Sequence, residues 1–316
     1  RRVGLRNVRL VETAGNPVVY GDWLGAEGAP TILFYGHYDV QPVDPLDLWV
    51  SPPFEATVRD GEIYARGAAD DKGQVFMHLK AIEAHLTQNG RLPVNIKLIL
   101  EGEEEVGSAH LDDFIRAHKD KLAADVVVIS DSAMFARGVP SICYGLRGLV
   151  YFQIDLRGSA TDLHSGSFGG ALANPGFVLA QMIAAMKDRS GRIKIPGFYD
   201  DVRELTAEER AAWASLPFNE KHYRRDFGIP KLHGETGFTT LERTWARPTL
   251  EVNGLLSGFT GAGAKTVLPA VSMAKISMRL VPDQDPAKIA DLFQKYVEDI
   301  APKTVEVTVT RMHGGK

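Results

Sequence analysis

The chain has 316 residues, of which 44% are hydrophobic and 24% are charged, and its formal net charge is −4. Such a chain can bury a sizeable core and is long enough for two domains. Its charge gives no reason to expect nucleic acid or membrane as a partner, and no apolar run approaches the roughly 18 residues of a membrane span. Cys143 is the only cysteine, which excludes a disulfide within the chain and favours a reducing, cytoplasmic location.

Strand and helix patterns alternate in the first half of the chain. Apolar runs typical of buried strands span 31–35, 94–100 and 126–129, whereas helical patterns span 75–88 and 111–118. This alternation predicts an α/β domain with a mostly parallel sheet and flanking helices. In such sheets, ligands bind beyond the carboxyl ends of the strands.

The pattern changes near residue 147. The predicted strands and helices of this second half, in chain order, are β 149–156, α 175–187, β 249–253, β 272–280, α 286–300 and β 305–310. The order β-α-β-β-α-β predicts a small two-layer α+β domain. We therefore expect two domains, 1–146 and 147–316. The segment 193–247 interrupts the second, and Thr206 with Glu209 forms a capping-box pattern within it.

Side chains that bind metals stand at the ends of the first three predicted strands. His37 follows the first strand, Glu104 and Glu105 follow the second, and Asp131 follows the third, while Asp70 precedes the first helix. Carboxylate oxygens together with an imidazole form a ligand set for divalent cations. Their joint occurrence at strand ends predicts a two-metal hydrolase.

Each of these features has a simpler interpretation when it is taken alone. Asp70 and Asp71 could cap the helix, the acidic run 103–105 could be a solvated turn, and Asp131 could be a turn residue. His37 could be a loop histidine, although Asp39, two residues on, lies on the same side of an extended chain and can accept its second N–H. Only the combination favours a metal site.

Seven segments carry these residues within longer motifs. They are 35–42, 65–73, 101–108, 144–148, 162–166, 261–267 and 278–282. In this order they resemble the M20 metallopeptidases, and most closely the dipeptidase branch that includes carnosinases and cytosolic nonspecific dipeptidase. The resemblance covers nearly the whole chain, and its motifs are specific.

The resemblance implies a role for each residue of the first domain. Asp70 is expected to bridge two divalent cations, with His37 and Asp131 on one and Glu105 on the other. Glu104 then becomes the general base and Asp39 orients His37. Zinc, manganese and cobalt all suit this ligand set, so the identity of the metal stays open.

For the second domain, the resemblance implies an inserted ferredoxin-like dimerisation (lid) domain. In a homodimer, His164 is expected to reach the neighbouring subunit's site, Arg279 to bind the substrate carboxylate, and Thr266 to add a hydroxyl contact. The substrate is then a dipeptide or short peptide with a free C-terminal carboxylate. Hydrolysis of N-acyl amino acids and a catalytically silent dimerising fragment remain alternatives. Without the resemblance, His164 could equally be a polar loop residue and Arg279 an exposed strand arginine.

The chain also departs from the family pattern at its ends. Family members have helices before the first strand, and after residues 313–316 they have a further segment that completes the catalytic domain. That segment supplies a last histidine ligand to the metal held by Glu105. The comparison predicts a chain truncated at both ends, with weaker binding of that metal. The other histidines show no spacing that predicts a ligand; they are His78, His85, His110, His118, His222, His233 and His313.

Overall fold

The chain divides into two units, Arg1–Cys143 and Tyr144–Lys316, and the computed structural model describes residues 1–315. The first unit contains β1 (Arg6–Val11), β2 (Val18–Trp23), β3 (Thr31–His37), β4 (Thr57–Arg59), β5 (Glu62–Tyr64), α1 (Lys72–Asn89), β6 (Asn95–Glu101), α2 (Leu111–Ala117), α3 (Lys119–Leu122) and β7 (Val126–Ile129). Two short 3-10 helices, Leu46–Leu48 and Glu104–Val106, lie between them.

Five of these strands form one sheet in the order β1-β2-β6-β3-β7. Strand β3 is parallel to both β6 and β7, whereas β1–β2 and β2–β6 are antiparallel pairs. The prediction of a mostly parallel sheet is therefore wrong for the half formed by the N-terminal hairpin, and the sheet is mixed. Most residues of β1 are exposed at the sheet edge, so β1 has no apolar run by which it could be recognised.

Helices cover both faces of this sheet. Leu98 of β6 belongs to a cluster with Ile82 of α1, whereas its neighbour Ile99 packs in another cluster with Phe114 of α2. Consecutive residues of a strand point to opposite faces, so a strand covered on both faces is apolar throughout. Helix α1 ends where Gly90 adopts a left-handed conformation, with φ of 68°.

The second unit has a four-stranded antiparallel sheet in the order β10-β12-β8-β13. Its elements are β8 (Gly148–Arg157), β9 (Leu163–His164), α4 (Ser165–Phe168), α5 (Pro175–Met186), α6 (Ala207–Ala214), α7 (Glu220–Asp226), α8 (Thr240–Trp245), β10 (Glu251–Ser257), β11 (Val267–Leu268), β12 (Val271–Leu280), α9 (Pro286–Ile300) and β13 (Glu306–Gly315). The four long strands and α5 and α9 follow the predicted β-α-β-β-α-β order.

One face of this sheet packs against α5 and α9. Alternate residues of β8, from Val150 to Leu156, are almost completely buried in the same cluster as residues of both helices. Phe152 contacts Phe293 of α9, with 4.5 Å between ring centroids. The intervening residues of β8, such as Tyr151 and Gln153, are only partly buried on the other face.

Helix caps and ion pairs stabilise the segment between α5 and β10. Helix α6 begins with the predicted capping box of Thr206 and Glu209. Arg247 forms an ion pair of 2.8 Å with Glu235, and both side chains are more than 90% buried.

Within residues 1–315, none of the helices combines the length and apolar character that crossing a membrane requires.

We expect Phe293→Ala to destabilise the second unit by about 3–5 kcal/mol, because the ring is completely buried and its removal leaves a cavity. Phe177→Ala is the matched control, since Phe177 of α5 is 72% exposed. Urea unfolding of both variants measures the change, and equal free energies of unfolding would contradict this description of the core.

Candidate metal centre

Three side chains meet at the carboxyl ends of the parallel strands. His37 is the last residue of β3, Asp131 lies two residues beyond β7, and Asp70 precedes α1. His37 Nε2 lies 3.0 Å from Asp70 Oδ1 and 3.6 Å from Asp131 Oδ2. One ligand atom from each residue lies within 4.8 Å of the others, so the three can hold one metal ion.

The imidazole of His37 is held from its other side. It is completely buried, and its Nδ1 lies 3.2 Å from both the main-chain oxygen and Oδ1 of Asp39. A proton on Nδ1 that is donated to Asp39 leaves the lone pair of Nε2 directed at Asp70 and Asp131. This is the orienting contact that the spacing of His37 and Asp39 predicts.

Asp39 also connects this strand end to the acidic segment after β6. Its Oδ2 accepts a hydrogen bond of 2.9 Å from the Glu105 N–H, and its Oδ1 accepts one of 3.3 Å from the Glu104 N–H. One carboxylate therefore sets the position of both the imidazole and the backbone of the acidic segment.

The carboxylates of the acidic segment have different environments. Glu101 accepts hydrogen bonds from Tyr35 and Ser108, and Glu103 accepts them from Asn16 and His110. These two glutamates hold the segment in place.

Glu104 and Glu105 differ in their hydrogen bonds. Glu105 accepts a hydrogen bond of 2.7 Å from Gln41 Nε2 and lies outside the group of three ligands. The carboxylate of Glu104 accepts no hydrogen bond from the described part of the chain. Glu104 directly precedes Glu105 in the 3-10 helix that follows β6.

Asp71 was not among the predicted site residues, yet it is buried at the centre of the site. Its Oδ2 accepts a hydrogen bond of 3.1 Å from the His37 N–H, and its Oδ1 is buried without a hydrogen-bond partner among residues 1–315. It stands at the N-cap position of α1 but makes no side-chain cap, so the helix-capping interpretation is wrong. In the sequence, the position of Asp71 directly after the predicted ligand Asp70 could have indicated that it belongs to the site.

The sequence analysis also missed a contact to Ser130, the residue before Asp131. His78 on α1 lies 2.8 Å from the hydroxyl of Ser130, the residue before Asp131, and packs on Phe34 with 4.3 Å between ring centroids. Burial lowers the pKa of His78, which favours the neutral form of the ring. Helical spacing gave no indication of this contact, because it joins residues 52 positions apart.

The electrostatics of the site favour a cation. Burial, together with neighbouring carboxylates, raises the pKa of the carboxyl groups of Asp71, Glu104 and Asp131. Burial lowers the pKa of His37, but the surrounding carboxylates, led by Asp131, outweigh this and raise it above its usual value. Several carboxylates thus share one imidazole, and this donor set fits a divalent metal ion.

The predicted substrate-binding residues lie in the second unit. The short strands β9 and β11 pair His164 with Val267, and this brings His164 Nε2 to 3.2 Å from the hydroxyl of Thr266. The N–H of Gly166 donates to His164 Nδ1 over 3.1 Å. Arg279 is exposed on β12, opposite Leu149 of β8.

The sequence of the chain matches a protein-family model and several curated proteins. The family model "Peptidase family M20/M25/M40" matches residues 33–316. The chain is 37% identical over 290 residues to human Beta-Ala-His dipeptidase and 39% identical over 285 residues to the Cys-Gly metallodipeptidase of Candida albicans. These alignments include 91% and 89% of the chain but only 57% and 59% of the relatives, so the chain spans less than two thirds of their length.

Solved structures show the same similarity. Human carnosine dipeptidase 1 has a TM-score of 0.85 at 34% identity, and the alignment covers 99% of this chain and 70% of that one. The M20 family metallo-carboxypeptidase from Sulfolobus solfataricus has a TM-score of 0.83 at 38% identity, with coverage of 98% and 70%.

We expect Asp39→Asn to weaken binding of Zn²⁺ or Mn²⁺ by about 10–100-fold, because the amide no longer accepts the Nδ1 proton as a charged group. Asp113→Asn is the matched control, since Asp113 is an exposed carboxylate of α2. Competition titration against a chromophoric chelator measures both variants. Equal affinities for the two would show that Asp39 does not orient a ligand.

Proposed function

Because the chain belongs to peptidase family M20/M25/M40, we propose that it is a metal-dependent dipeptidase that cleaves dipeptides or short peptides with a free C-terminal carboxylate. The observation that carries this proposal is the group of His37, Asp70 and Asp131, with the carboxylate of Glu104 beside it. The names of the relatives, Beta-Ala-His dipeptidase and Cys-Gly metallodipeptidase, favour dipeptides over N-acyl amino acids.

We assign the metal ligands as follows. His37 and Asp131 hold one divalent cation, Glu105 holds a second, and Asp70 is shared. Zinc or manganese is the proposed metal, and cobalt also suits the same oxygen and nitrogen donors. When bound, such a pair supplies Lewis-acid activation of a water and of the scissile carbonyl.

Glu104 carries the proton in this proposal. Its carboxylate takes a proton from the attacking water as the oxygen bonds to the carbonyl carbon. It then donates that proton to the amide nitrogen as the C–N bond breaks, so that the amine leaves neutral. No hydrogen bond from residues 1–315 competes for the Glu104 carboxylate, which leaves it available for both transfers.

The second unit is the proposed dimerisation and lid domain. His164 and Thr266 form a polar pair in which an imidazole and a hydroxyl share one hydrogen bond, and both can instead bind a substrate carbonyl. In the proposed homodimer His164 serves the neighbouring subunit's site, and Arg279 binds the substrate carboxylate through its planar fork. The expected cytoplasmic location stays a prediction.

We expect Glu104→Ala to lower kcat for dipeptide hydrolysis by about 10²–10⁴-fold without loss of metal binding, because only the proton transfer is removed. The assay uses protein loaded separately with Zn²⁺ and with Mn²⁺, on a panel of dipeptides and N-acyl amino acids. Glu27→Ala serves as the control with unchanged kcat, since Glu27 is an exposed carboxylate in the loop between β2 and β3.

The outcomes of that assay separate the proposed function from its alternatives. Cleavage of dipeptides alone supports the dipeptidase, and preferential cleavage of N-acyl amino acids identifies a deacylase. Failure to cleave either class, with metal bound, would identify a silent scaffold. A Glu104→Ala protein with undiminished kcat would remove Glu104 from the mechanism.

A further inference from the structure

Gln41, in the loop after β3, holds both the side chain and the backbone of Glu105. Its side-chain Nε2 donates a hydrogen bond of 2.7 Å to Glu105 Oε2 and one of 3.1 Å to the main-chain oxygen of Glu105. The N–H of Gln41 donates to Glu105 Oε1 over 3.2 Å. Both carboxylate oxygens of Glu105 therefore accept hydrogen bonds from a single residue that lies 64 positions earlier in the chain.

The same loop also holds the backbone N–H of Glu105. Asp39, two residues before Gln41, accepts a hydrogen bond of 2.9 Å from that N–H. The loop thus contacts Glu105 at its N–H, at its main-chain oxygen and at both carboxylate oxygens. A glutamate that is free at a surface samples several rotamers, whereas one held at all of these atoms keeps a single conformation.

Glu104 has the same chemistry but none of these contacts. Within residues 1–315, Gln41 donates no hydrogen bond to the Glu104 carboxylate. The two glutamates are consecutive in a 3-10 helix. Because such a helix has three residues per turn, consecutive side chains point in directions about 120° apart. A donor fixed on one side of the helix can therefore reach only one of the two carboxylates.

We propose that Gln41 is a positioning residue that makes Glu105, rather than Glu104, the ligand of the second metal ion. This inference rests on the proposed function, which assigns Glu105 to that ion. The amide of Gln41 is a neutral donor, so it orients the carboxylate and leaves its negative charge for a cation. Each carboxylate oxygen also has a second lone pair, which the hydrogen bonds from Gln41 do not use.

The test is a stepwise titration of metal-free protein with Mn²⁺, followed through the EPR signal of the free ion. Gln41→Met keeps the length of the side chain but removes both donations from Nε2. The variant should bind the second equivalent about 10–100-fold more weakly and the first, at the group of three ligands, with unchanged affinity. Gln88→Met is the matched control with two unchanged steps, since Gln88 is an exposed glutamine of α1.

The dependence of dipeptide hydrolysis on Mn²⁺ gives a second measurement. In Gln41→Met, the Mn²⁺ concentration for half-maximal activity should rise by about 10–100-fold, because the second ion is bound more weakly. A lower kcat with an unchanged Mn²⁺ requirement would show that Gln41 acts on another step and would overturn the inference.

The outcomes of the titration separate this inference from the proposed function. An unchanged second step in Gln41→Met, or equal weakening of both steps, would overturn the inference alone. A wild-type protein that binds a single equivalent of Mn²⁺ would overturn the two-metal assignment and the role of Gln41 with it. Two equivalents in the wild-type protein, with only the second weakened in Gln41→Met, support the role of Gln41 even if no dipeptide is hydrolysed.

Discussion

The parallel pairing of β3 with both β6 and β7 is the constraint on which the candidate metal centre depends. Parallel strands end at the same edge of a sheet, so three loops that are far apart in the chain meet there. His37 and Asp131 come from two of these strand ends, and Glu104 comes from the third. Asp39 then joins the first and third by accepting hydrogen bonds from His37 and from the backbone of the acidic segment.

The two units differ in whether their buried carboxylates have cationic partners. In the second unit, Glu235 and Glu242 are buried against Arg247 and Arg210, so each carboxylate has a cationic partner. In the first unit, Asp70 and Asp131 approach the imidazole of His37, and Asp71 is buried with one oxygen unpartnered among residues 1–315. Uncompensated carboxylates raise one another's pKa and destabilise the fold unless a cation joins them. This contrast is the physical reason to place the metal in the first unit.

The sheet of the second unit has the opposite imbalance, an excess of positive charge. Among residues 1–315, Arg147 and Arg279 form no ion pair with a carboxylate, and one buried donor of Arg147 is unsatisfied.

Local sequence patterns determined most of the long secondary-structure elements of this protein. Apolar runs and periodicity predicted β3, α1, β6 and β7 and the long elements of the second unit, and these are confirmed because each has a strong pattern of its own. The family was likewise identifiable from its motifs and is confirmed. The exposed strand β1 had no such pattern, which is why the mixed character of the sheet was missed.

Only the tertiary structure decided which polar residues share a site. Helix capping was the simpler interpretation of Asp71, whose carboxylate instead accepts a hydrogen bond from the backbone N–H of His37, 34 positions away. The contact of His78 with Ser130 and the proximity of Arg147 to Arg279 likewise join distant segments. Sequence by itself determined the elements and the candidate residues, because those depend on neighbours along the chain. Pairing between strands decided the contacts and the charge balance, because these depend on neighbours in space.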